Sequence, residues 1–126
     1  MITATAMLTV FCLLALFGIK HFVADFAMQY EYMVRDKGIY GAEGGIHHAA
    51  LHATLTLWIL VFVVGNANVA IVLALLDGAI HYHIDWIKQK FTRGLTPSDR
   101  KFWIYLGLDQ CLHYLTYVAI IGFLVL

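Results

Sequence analysis

The chain has 126 residues, of which 62% are hydrophobic and 13% charged, and its formal net charge is zero. Soluble domains run to roughly 45–50% apolar and about 25% charged residues, so this composition belongs in lipid rather than in water. The length allows one domain, and the neutral balance excludes an electrostatic nucleic-acid binder.

The fold class this implies is all-α: an integral membrane four-helix bundle, a single transmembrane domain over residues 1–126. The first span is expected at about 3–29. Its start, Met1 to Ile19, has the length and apolarity of a signal sequence, but no basic residue precedes the apolar run, so it reads as a retained helix. A connection from Tyr30 to Ile46 follows, with Gly38, Gly41, Gly44 and Gly45. It suggests a short interfacial helix and then a flexible loop. The second span is expected at 47–64 and the third, after the tight turn Gly65-Asn66-Ala67-Asn68, at 69–90. The fourth is expected at 97–126, with Thr96 as cap, Pro97 in the first turn and Asp99 at the positive end of the dipole. Cys12 and Cys111 have no CxxC neighbour and read as small buried hydrophobes.

Charge gives an orientation. The Gly65–Asn68 turn and both chain ends lack charged side chains. The other connections carry Arg35, Lys37, Lys90, Arg93, Arg100 and Lys101, with Lys20 and Lys88 at their margins. The positive-inside rule then places both long connections in the cytoplasm and both termini on the non-cytoplasmic side. Tyr30, Tyr32, Tyr40, Tyr82, Trp86, Trp103 and Tyr105 flank the same end, as an interfacial aromatic belt does. The localisation this implies is a multi-pass protein of the cell inner membrane.

Each span carries one polar pair: His21 and Asp25, His48 and His52, His81 and Asp85, Asp109 and His113. All are spaced i, i+4, which stacks the two side chains on one helix face. With a rise of ~1.5 Å per residue, His52, His81 and His113 fall ~18–20 Å from the turn end, and His48, Asp85 and Asp109 fall ~24–26 Å from it. His21 and Asp25 complete the ring. An aspartate at mid-bilayer costs roughly 2.5–3.5 kcal/mol on insertion scales, and a divalent cation offsets that cost directly. Imidazole with carboxylate suits Zn²⁺, Mn²⁺ or Fe²⁺, so the expected cofactor is one or two divalent transition-metal ions, zinc first. A proton pathway and a purely structural polar network are the other readings of such a ring. His47 and His83 fall outside it, as interfacial or supporting residues. Gln29 and Gln110 are placed either to orient ligands or to pack as plain amides. Lys88 is placed to hold an anionic group, although the positive-inside pattern also accounts for it.

The motifs His21-Phe-Val-Ala-Asp25-Phe-Ala-Met-Gln29, His48-Ala-Ala-Leu-His52, His81-x-x-x-Asp85 with Lys88, and Asp109-Gln110-Cys-Leu-His113 resemble an uncharacterised family of small bacterial and phage polytopic membrane proteins. That family is a domain of unknown function; the resemblance covers nearly the whole chain and implies a polytopic inner-membrane protein. A weaker similarity runs to membrane-bound metal-dependent hydrolases, whose motifs stand in a different order.

The function expected is a membrane-embedded metal-dependent hydrolase, with a lipid-linked or otherwise amphiphilic substrate reaching a site that faces the cytoplasm. His52, His81 and His113 would be its core ligands; His21, His48, Asp25, Asp85 and Asp109 would be further ligands. Asp85, Asp109 and Lys88 would be its catalytic residues. The alternatives are a di-iron lipid oxidase, a proton or divalent-metal transporter, and a non-catalytic membrane regulator. The expected partners are the lipid bilayer and a lipid-linked or anionic substrate, with no nucleic acid, and a homo-oligomer is compatible with so short a chain.

Overall fold

Capping sets the start of the first helix. The Thr3 hydroxyl accepts from the Ala6 amide at 3.1 Å and opens α1 (Ala4–Phe22). The computed structural model describes residues 3–125, and the regular structure among them is entirely helical. A π-helical turn, Val23–Ala27, continues α1 and widens its last coil. The short α2 (Glu31–Asp36) follows, then α3 (Glu43–Val61), α4 (Ala67–Thr92) and α5 (Arg100–Val125). Asn66 caps α4, its side-chain oxygen accepting from the Asn68 and Val69 amides at 3.0 and 3.3 Å.

α1 packs on α3 and α5, and α4 packs on the same two helices, so the four long helices close a ring. At the Asn66 end this ring is filled by Leu13, Phe17, Leu60, Ala70, Leu73, Tyr117, Ile120 and Ile121. The opposite end is filled by polar groups, and α2 lies across it against α3. By length and composition, Ala4–Ala27, Ala67–Thr92 and Arg100–Val125 are apolar enough to cross a membrane. His47, His48 and His52 lower the hydropathy of α3.

Three expectations change. α3 begins at Glu43, not at His47, because Gly44 and Gly45 are buried helix under α2 rather than loop. A Cβ on Gly44 would stand 2.6 Å from the Tyr32 carbonyl oxygen and 2.8 Å from Asp36 Cβ. Glycine therefore lets two backbones meet here. α5 begins at Arg100, and Thr96–Asp99 forms a turn before it. Asp99 reaches back to the Thr96 amide and hydroxyl at 2.8 and 2.9 Å, and these hold its carboxyl below the usual range, the amide first. Finally, Cys12 and Cys111 are exposed on the outside of the bundle, not buried. The inward positions of their helices go to Leu13, Asp109 and His113.

Candidate metal centre

The i, i+4 step repeats on the inner face of every long helix. α3 presents His48, His52, Thr56 and Leu60, and α4 presents Asp77, His81 and Asp85. α5 presents Asp109, His113, Tyr117 and Ile121. At the end of α1 the π-helical turn brings Asp25 into the same space. Such insertions re-aim side chains and recur at functional sites.

Asp25 is the hub. Its Oδ1 lies 3.0 Å from His48 Nε2, 3.0 Å from His52 Nε2 and 3.9 Å from His81 Nε2. His48 Nε2 and His81 Nε2 are themselves 3.0 Å apart. Ring planes stack, His52 on His81 with centroids 3.5 Å apart and His81 on His113 at 4.0 Å, so the residues of one sequence level are neighbours in space. One donor atom from each of Asp25, His48, His52 and His81 lies within 4.8 Å of the others, and all four residues are buried. A second such group is His81, Asp85 and His113.

These spacings suit an ion. A tetrahedral metal with bonds of ~2.0–2.1 Å sets its donors ~3.3 Å apart. Neutral imidazole donates from one nitrogen only, so hydrogen bonds alone serve the group poorly. The Nε2 atoms of His48, His52 and His81 all converge on the single Oδ1 of Asp25, more nitrogens than one carboxylate oxygen serves well by hydrogen bonds. Their Nδ1 atoms keep no partner among the described residues, with or without an ion. His113 Nε2 and Asp109 Oδ1 face each other at 3.4 Å without forming a hydrogen bond, and both are buried and unpartnered. The residues present fit a divalent cation held by imidazole and carboxylate.

His21 stands apart from both groups. Its Nε2 lies 3.0 Å from Gln110 Oε1 and 3.1 Å from Asp25 Oδ2, both acceptors, so the proton belongs on Nε2. Nδ1 then accepts from the Tyr117 hydroxyl at 2.9 Å. His21 thus orients Asp25, as supporting hydrogen bonds orient ligating carboxylates. Asp109, also outside the two groups, receives a hydrogen bond from Gln110 Nε2 at 3.1 Å on its Oδ2. Gln29 donates to the Asp25 backbone carbonyl at 2.9 Å. His47 and His83 lie outside the cluster, near the Tyr32 and Tyr40 hydroxyls at 3.3 Å each.

Two lysines change their role. Lys37 leaves the surface and lies buried with Nζ 2.8 Å from Asp85 Oδ2, an ion pair off the hydrogen-bond angle. Lys20 is also buried and donates to Asp77 Oδ2 at 2.7 Å, inside the ring beneath the centre. Thr56 donates to the same oxygen at 2.5 Å, and Lys20 reaches the Tyr117 hydroxyl at 3.3 Å. Lys88, by contrast, makes no ion pair among the described residues. Thr56, Asp77 and Tyr117 were within reach of the sequence, one i, i+4 step beyond His52, His81 and His113 toward the turn end. Lys37 had no such signal.

No curated protein and no solved structure matches the chain. A family model described as "Protein of unknown function (DUF3307)" matches residues 13–126, nearly the whole of the helical ring and all of the polar cluster, and the chain belongs to that family.

Proposed function

We propose that this protein is a membrane-embedded, metal-dependent hydrolase whose site faces the cytoplasm and takes an amphiphilic, lipid-linked substrate. One observation carries the metal reading: the convergence of three buried imidazole nitrogens and one carboxylate oxygen within 4.8 Å. The Asp25, His48, His52, His81 set holds a first ion. An imidazole nitrogen serves one metal at a time, so His81 cannot also complete the second group; Asp85 and His113 supply a weaker second position beside it.

Connectivity supports four membrane crossings. α1 and α4 run in the same direction, since both bring their C-terminal ends to the polar cluster. If both cross, α3 between them must cross back. The burial pattern supports lipid outside: among the described residues, as many polar or charged side chains are buried as apolar ones. Large apolar groups such as Phe11, Phe26, Trp58 and Phe123 meanwhile face out. The basic side chains gather at the cluster end, which the positive-inside rule assigns to the cytoplasm. Bacterial inner membrane is the compartment in keeping with that pattern.

A bound cation lowers the pKa of its water and polarises a carbonyl or phosphoryl oxygen. The chain supplies the base. Asp109 Oδ1 is buried without a partner among the described residues, so this carboxylate is placed to take a proton. Asp85 is held by Lys37 and acts as a ligand rather than as a base. Transport is less well supported, because Lys20 neutralises Asp77 and the packed core at Leu13, Phe17 and Leu60 closes the ring beyond it.

Elemental analysis of detergent-purified protein should give one to two transition-metal ions per chain. His52→Ala and His81→Ala should remove most of the metal, His113→Ala at most the second ion, and His83→Ala none. Phosphoesters and acyl esters of lipids in bilayers should turn over in an EDTA-sensitive way. Asp109→Asn should keep the metal and lose activity ~100-fold, the scale of a missing general base. Turnover indifferent to both chelation and Asp109→Asn would overturn the hydrolase mechanism.

A further inference from the structure

Two cavities open beside the centre and share residues. The first, of about 110 Å³, has Asp25, Asp85 and Asp109 in its wall, with Lys37 and Lys88 beside them. The second, of about 210 Å³, runs along the α4–α5 seam between Ile84, Ile87, Phe91, Leu108 and Leu112. Lys88 and Asp109 belong to both. A polar chamber at the candidate ligands therefore adjoins an apolar groove on the outer face of the bundle, with the Lys88 and Asp109 side chains between the two.

We infer that this pair of cavities is the substrate site, and that its ligand is a lipid with an anionic phosphate headgroup entering sideways between α4 and α5. The inference rests on the metal reading, since the three carboxylates would repel a phosphate unless a cation stood among them. The chamber is too small for a drug-sized ligand, for which ~300 Å³ is a lower bound, so only a compact headgroup fits there. The groove offers nothing polar except Tyr105 and the shared Lys88 and Asp109, which suits an alkyl chain. Lys88 stands where chain and headgroup would meet. It is half-buried and free of any ion pair among the described residues, so its ammonium is available to a phosphate oxygen. Lys37, buried on Asp85 at 2.8 Å, brings a second positive charge to the chamber wall. An amphiphile held this way would lay its phosphate against the centre while its tail stayed in lipid contact, with no need to leave the bilayer.

The test is equilibrium binding of radiolabelled dodecyl phosphate to the full-length, metal-loaded protein in uncharged detergent. Dodecanol and inorganic phosphate serve as the two half-ligands. Dodecyl phosphate should bind at least about tenfold more tightly than either one. Lys88→Gln should weaken it about tenfold, the value of one charge-assisted hydrogen bond, and leave dodecanol binding unchanged. Leu108→Trp fills the groove from an exposed position, where folding tolerates it, and should weaken dodecyl phosphate by a similar factor while inorganic phosphate is unaffected. Metal content is measured on the same samples. A parent protein without metal fails the metal reading. A parent that holds metal, yet binds dodecanol as well as dodecyl phosphate or ignores both substitutions, overturns the lipid-phosphate inference alone.

Discussion

Lys37 is the residue whose chemistry depends most on what occupies the centre. It is buried, it reaches Asp85 from a short surface helix, and it carries the charge that a cation would otherwise bring. Removing one member of a buried ion pair costs on the order of 3 kcal/mol or more, because the other charge is left uncompensated. Lys37→Met should therefore lower the melting temperature strongly in EDTA and much less with metal bound. Thermal melts in detergent, with and without added zinc, measure the difference. Equal losses in both conditions would mean that Lys37 holds α2 in place and does not stand in for a cation. The residue scale also shows where sequence reading stops. The four i, i+4 pairs are legible because their spacing is local and their residue types are costly in lipid. Lys20 and Lys37 are not, because a basic residue near a span end has an ordinary interfacial reading, and only long-range packing shows that each has turned inward to an aspartate.

At the scale of elements, the difficult boundaries lie where packing overrides local preference. Glu43-Gly44-Gly45 looks like loop, since glycine disfavours helix by about 1 kcal/mol relative to alanine. It is helix because α2 crosses it at backbone contact, which no side chain would allow. Gly44→Ala should accordingly destabilise the protein by about 1–3 kcal/mol, the usual cost of overpacking, despite alanine's better helix propensity. Hydrogen exchange should show the loss concentrated in Glu31–Asp36. An unchanged or higher stability would mean that α2 is not docked there. The π-helical turn at Val23–Ala27 was equally hidden, because a one-residue shift in hydrogen-bond register leaves no composition behind. The turn before α5 yields a pH dependence. The Thr96 amide and hydroxyl hold the Asp99 carboxyl below its usual value, so the folded state favours the ionised form. This contribution is present above the unfolded carboxylate pKa of ~3.9 and is lost as pH falls through the lower folded value. Exchange protection of the Thr96 amide should hold from neutral pH to about pH 4 and decline only below that. A midpoint at or above the ordinary aspartate value would refute it.

The whole molecule is polarised along its long axis, and that polarity gives the sharpest test of how it sits in a membrane. One end of the ring is an apolar core of Leu13, Phe17, Leu60, Ile120 and their neighbours, and the other holds the histidines and carboxylates. The basic side chains follow the same division. Burial withdraws Lys20 and Lys37 from the count that sets orientation, since both are neutralised inside. Arg35, Lys88, Lys90, Arg93, Arg100 and Lys101 remain, all at the cluster end, and the Asn66 turn at the other end has none. The asymmetry thus survives the loss of two of its charges, and it still supports the proposed orientation, with the cluster end toward the cytoplasm. Because α1 and α5 both have their opposite ends beside the Asn66 turn, the two ends of the described chain should lie together on the far side. A reporter that is active only outside the cytoplasm should therefore work when fused after Val125 and fail when inserted between Lys90 and Pro97. A reporter that is active only in the cytoplasm should give the reverse pattern. If the C-terminal fusion reported the cytoplasm, the lysine-lined chamber would face outward. The orientation and the cytoplasmic substrate would then both have to be abandoned, whereas the proposed metal site, which depends only on distances inside the ring, would stand.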